Sequence, residues 1–136
     1  MAAVSARRAW AVGNTLHGKT LIVRWNGTAW KRVRSPSPGV PDVLFGVAAA
    51  SARSAWAVGS RNNAGSVVKT LILHWNGIAW KRVPSPSRSD RIGDVLTAVA
   101  AASARSAWAV GYTATSGGNS ARILIVHWNG TAWKLS

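Results

Sequence analysis

Few side chains in this 136-residue chain are suited to covalent or acid–base work. Cysteine is absent, which removes thiolate nucleophiles, thiolate metal ligands and disulfides. The only acids are Asp42, Asp90 and Asp94, each just before an apolar run. Catalysis by paired carboxylates needs two converging acids, and this composition opposes it. The histidines are His17, His74 and His127. His17 sits in a loop beside Gly18, while His74 and His127 end equivalent apolar runs, where Arg24 stands in a third. A metal centre needs more converging ligands than these supply. No Walker-type glycine loop and no Ser–His–Asp arrangement stands out. The residues therefore predict no enzyme, no metal and no cofactor.

Aromatic and cationic side chains remain. Nine Trp would either stack on sugars or fill spaces in a core, each burying on the order of 150–250 Å². Seventeen Lys and Arg give a net charge of +14, yet charged residues are only 15% of the chain. That is below the ~25% of an average domain, so the excess comes from missing acids. Arg7, Arg8, Arg53 and Arg105 fall in turns, and Lys31-Arg32 and Lys81-Arg82 follow Trp30 and Trp80. This spreads the charge around a rim and predicts salt-sensitive, non-specific attraction to polyanions, nucleic acid or acidic polysaccharide.

The elements holding these residues are legible because the chain repeats. Ala9-Trp-Ala-Val-Gly13 recurs at Ala55–Gly59 and Ala107–Gly111, and Trp25-Asn-Gly-Thr-Ala-Trp30 recurs at Trp75–Trp80 and Trp128–Trp133. Between them lie the apolar runs Thr20–Arg24, Thr70–His74 and Ile123–His127. All nine Trp are thus repeat positions: Trp10, Trp25 and Trp30; Trp56, Trp75 and Trp80; Trp108, Trp128 and Trp133. The period of about 50 residues is that of propeller repeats. Each repeat predicts four strands, exemplified by Val43–Ala49, Ala55–Val58, Leu71–Trp75 and Ala79–Val83. Asn-Gly joins the last two and predicts a type I′ hairpin. Lys and Arg on the fourth strand suit an outer edge, and the following Pro-Ser-Pro ends it. The alanines of 47–54 also suit a helix, with Asp42 or Asp94 as N-cap.

These residues resemble the kelch-type β-propeller blade, and Trp-rich bacterial propeller repeats in particular. Gly13, Gly59 and Gly111 match the first of that family's paired glycines. Asn14, Ser60 and Tyr112 replace the second. Trp25, Trp75 and Trp128 match its aromatic, and Trp30, Trp80 and Trp133 its later Trp. The resemblance implies an all-β fold of four-stranded antiparallel blades used for binding. Its blades would be 1–36, with a truncated first strand, 41–86 and 94–136. Three blades cannot close a ring, so two chains joined head to tail as a homodimer would give six.

Function is then expected in binding and self-assembly, with a glycan or protein ligand. The loops that diverge between repeats are the candidate site. They carry Asn14, His17 and Lys19; Arg61, Asn62 and Asn63; and Tyr112, Asn119 and Arg122. Regular placement assigns most Trp to packing, with Trp10, Trp56 and Trp108 as wedges between blades. Any exposed Trp is expected beside the Asn-Gly turns. No apolar run approaches the ~20 residues of a membrane helix, and Met1–Arg8 lacks the apolar stretch of a leader.

Overall fold

A computed structural model describes residues 2–5, 7–62, 67–87, 93–114 and 121–136. The described strands are β1 (Ala2–Ser5), β2 (Arg8–Asn14), β3 (Thr20–Trp25), β4 (Trp30–Val33), β5 (Asp42–Ser51), β6 (Ser54–Asn62), β7 (Val68–Trp75), β8 (Trp80–Val83), β9 (Gly93–Ser103), β10 (Ser106–Ala114), β11 (Ala121–Trp128) and β12 (Trp133–Leu135). The alanine-rich segment that suits a helix is strand. Its intrinsic preference yields to pairing with β6, where Val47 meets Ala57 and Ala49 meets Ala55.

The strands do not form the kelch-like propeller the resemblance implied. They build two sheets, of four and eight strands, and neither closes. The first runs β1-β2-β3-β4. The second runs β12-β11-β10-β9-β7-β6-β5, with β8 on β7. Among the described residues a parallel bridge, Val68 to Gly93, fuses the second and third groups. Hairpin length explains the fusion. Pairing of β2 with β3 ends at Asn14–Thr20, whereas β6 and β7 continue past the equivalent Ser60–Thr70 to Asn62–Val68. That extra length carries Val68 to the start of β9.

The core lies on both faces of β5–β8. One cluster joins Trp10 and Ile22 of the first sheet to Leu44, Val47, Leu71, Leu73, Trp75 and Trp80. The other joins Trp56, Val58 and Ile72 to Leu96, Leu124, Val126 and Trp133. This accounts for the continuous apolar run of β7: Leu71 and Leu73 serve one cluster and Ile72 the other, all fully buried.

The glycines after the second strand are explained by close approach. At Gly59 a Cβ would run into the Val43 carbonyl, and at Gly111 into that of Val95, each beside a register shift. At Gly13 nothing lies within 4 Å, because β1 pairs with β2 only as far as Trp10.

The Asn-Gly turns differ from the expected two-residue form. Asn26 N–H donates to the Ala29 carbonyl, but Ala29 N–H returns to Asn26 Oδ1 (3.0 Å), as does Thr28 N–H (2.9 Å). Asn76 and Asn129 do the same. Asn thus serves through its side-chain oxygen, an Asx-type cap. Gly27, Gly77 and Gly130 take the positive φ, at 99°, 96° and 96°.

Candidate functional site

The hydroxyl network that anchors the chain after β4 fixes the loop end of the molecule. Thr20 Oγ1 donates to the Pro36 carbonyl and lies 2.8 Å from Ser35 Oγ, while Thr20 N–H donates to Ser37 Oγ. Ser37 Oγ in turn donates to buried Asp42, which also accepts the Gly39 N–H. Thr70 repeats the arrangement with Ser85, Pro86 and Ser87. Asp42 is therefore structural, and the Thr–Ser-Pro-Ser pairing is a role that sequence reading missed. Its signal was present: Thr opens the repeated apolar run in the two repeats that carry Ser-Pro-Ser, and Ile123 replaces it in the last.

This anchored linker meets the β2–β3 loop. Asp42 N–H donates to the Gly18 carbonyl, Asn62 N–H to that of Pro41, and Val40 N–H to that of Asn62. The loop is bonded internally, from Thr15 N–H to the Lys19 carbonyl, Gly18 N–H to the Thr15 carbonyl and Lys19 N–H to Thr15 Oγ1. An open hollow of about 550 Å³ results, lined by Asn14, Thr15, Leu16, His17, Gly18 and Pro41. Leu16 is wholly exposed.

The structure thus brings Asn14, His17 and Lys19 to one end, with Asn62 alongside. Arg61 and Asn62 are strand residues of β6, and Arg61 pairs across to Asp42. Tyr112 is also in a strand, opposite Ile123, and Arg122 stands opposite Thr113. Neither belongs to the hollow. Asn63 and Asn119 lie outside the described residues.

His74 and His127 each sit beside a Trp of their own strand group. The His74 ring is 4.3 Å from Trp56, and His127 is stacked on Trp108 at 4.0 Å. Ser54 and Ser106 hydroxyls hydrogen-bond their Nε2 atoms. Burial lowers the pKa of His74. Arg24 takes this place in the first group, with its guanidinium 5.2 Å from the Trp10 ring, a cation–π distance. Among the described residues no group of three His, Cys, Asp or Glu converges, and no helix is long and apolar enough to cross a membrane.

The tryptophans form nests. Trp10 lies 5.1 Å from both Trp75 and Trp80, and Trp56 lies 4.9 Å from Trp128 and 5.0 Å from Trp133. In each nest one pair is edge-on, the favourable aromatic geometry. Trp108, the third residue of the wedge set, is instead 43% exposed, and Trp30, beside the first Asn-Gly turn, is 44% exposed.

No protein-family model matches the sequence, and no curated relative does. Solved structures do. YCF48 bound to a D1 peptide is similar over 98% of this chain at 13% identity and a TM-score of 0.56. The chain spans 52% of that protein. A fucose lectin from Kordia zhangzhouensis, in complex with methyl-fucoside, is similar over 98% of this chain and 94% of its own at 10% identity, again with a TM-score of 0.56. The chain is all-β and Trp-rich, with distant similarity to β-propeller-like structures.

Proposed function

We propose that the chain is a non-catalytic binding module that takes a glycan or protein ligand at the hollow beside the β2–β3 loop. Residues 1–36, 41–86 and 94–136 are its three repeat units. The observation carrying this reading is the hollow itself, a bonded loop that holds Leu16 and His17 out to solvent above a tethered linker. A loop held on a rigid scaffold is where ligands usually meet a protein. Of the two solved structures named above, one holds a peptide and the other a methyl-fucoside, in keeping with such a use. Asn14, His17 and Lys19 supply polar contacts, and Arg61 and Asn62 border them. Tyr112 and Arg122, on β10 and β11, are the third unit's candidate contacts.

The test is a glycan array and a peptide library screened with the wild type and the His17→Ala and Leu16→Ala variants. A ligand whose affinity drops at least ~10-fold in both variants supports the reading. Absence of any ligand, or ligands indifferent to both substitutions, overturns it.

A second reading is polyanion binding. Lys31, Arg32, Lys81, Arg82 and Lys134 are all exposed on the fourth strands of their groups, β4, β8 and β12. Heparin retention that falls steeply with salt supports it, and retention indifferent to salt removes it. We further propose that the chain associates with itself in solution.

A further inference from the structure

We infer that the exposed Trp108 of one copy seats between Trp25 and Trp30 of a second copy, a joint that rests on the self-association proposed above. The molecule contains two finished examples of this joint. In each, a Trp from an Ala-Trp-Ala-Val-Gly strand enters a seat made by the two Trp of a Trp-Asn-Gly-x-Ala-Trp hairpin in the next repeat. Trp10 enters Trp75–Trp80, and Trp56 enters Trp128–Trp133. The wedges are then 2% and 1% exposed, and the outer seat residues Trp80 and Trp133 are 4% and 5% exposed. The series leaves one wedge and one seat over, and both stand open among the described residues.

Chemical identity supports the match. Ala107–Gly111 repeats the wedge sequence of Ala55–Gly59, and Trp25–Trp30 repeats the seat sequence of Trp128–Trp133, residue for residue. Geometry supports it too. The open seat already has the shape of the filled ones: the Trp25–Trp30 centroids are 5.7 Å apart at 51°, against 5.9 Å at 46° for Trp75–Trp80 and 6.1 Å at 45° for Trp128–Trp133. The open wedge is likewise set. His127 backs Trp108 as His74 backs Trp56.

The surroundings of the wedge are apolar. Val110, Tyr112 and Ile123 share its face, with exposures of 41%, 43% and 74%. Beside Trp108 an open hollow of about 150 Å³ is lined by Ala98, Val99, Ala100 and Val110. An apolar patch of this kind on a soluble protein marks a contact surface. The contact is heterologous, since wedge and seat are different surfaces. It is also weaker than the internal joints. At the first of these β5 contributes Leu44 and Val47, whereas β1, its counterpart beside the open seat, has only four residues.

Two variants test the joint. Trp108→Asp removes the wedge and keeps the seat, and Trp30→Glu removes part of the seat and keeps the wedge. Both positions are exposed, so each variant should retain the wild-type circular dichroism. Light scattering across a concentration series is expected to show the wild type gaining mass as concentration rises. Each variant alone should stay at 14.3 kDa, and an equimolar mixture should form a 1:1 pair that grows no further. A wild type that associates while either variant alone still does so would overturn this joint and leave self-association standing. A wild type that stays monomeric at the highest concentration would overturn both.

Discussion

His74 shows how one side chain makes the fold sensitive to pH. It is half-buried against Trp56, and burial holds its pKa below the ordinary 6.5. Between that lowered value and 6.5 the unfolded chain binds more protons than the folded one, so stability rises with pH there. The contribution is fully present above about 6.5 and is lost as pH falls towards the folded value. Urea melts at about pH 7.5 and pH 5.5 should show lower stability at the acid end, with a smaller difference in His74→Gln. An unchanged difference would remove His74 as the cause. Trp56 gives a second residue-scale test. It is 1% exposed, so Trp56→Ala should cost about 3–5 kcal/mol, whereas Trp108→Ala at low protein concentration should cost far less. Denaturant midpoints of the two variants compare them directly. These roles were half legible from sequence. The repeat made His74 and His127 equivalent, but only the cross-strand pairing Trp56–His74 put imidazole beside indole.

Among the elements, the second strands carry the sharpest contrast. Gly59 and Gly111 face carbonyls of the neighbouring strand, while Gly13 faces open space. Gly59→Ala should destabilise by about 2–3 kcal/mol, because backbone must shift. Gly13→Ala should be neutral or stabilise by up to about 1 kcal/mol, since alanine loses less entropy in a strand. Thermal melts would expose the reverse ranking if the close approach is wrong. The hydroxyl anchors offer another test. Thr70→Val removes the hydroxyl that donates to the Pro86 carbonyl and bonds the Ser85 and Ser87 hydroxyls, and should cost about 1–3 kcal/mol by chemical denaturation. The strands within each repeat were legible because short apolar runs and Asn-Gly turns are local signals. The bridge between Val68 and Gly93 was not, because sequence periodicity carries no information on which separate hairpins meet.

At the scale of the whole molecule, the three strand groups are unequally protected. The β5–β8 group has a core cluster on each face, and each outer group has one. Stability in stacked repeats is roughly a sum of unit and neighbour contributions. Amide exchange should therefore be slowest in β6 and β7 and faster in β3 and β11, the equivalent strands outside. Uniform protection across the three would contradict this order. The propeller expectation failed at this scale for a related reason. Each repeat encodes a wedge and a seat, but nothing in a single repeat encodes how many must follow before the last meets the first.

The tryptophan nests have an optical consequence. Indoles whose centres lie about 5 Å apart, at fixed tilts, exchange excitation and split each other's ultraviolet transitions. Such a pair gives a circular dichroism couplet of opposite-signed lobes that isolated indoles lack. Trp10 with Trp75 and Trp80, and Trp56 with Trp128 and Trp133, make this protein its own chromophore ruler. The amplitude of that couplet follows whether the indoles remain in register, independently of how much strand persists, so a state with intact sheets and slackened nests would be visible in one spectrum.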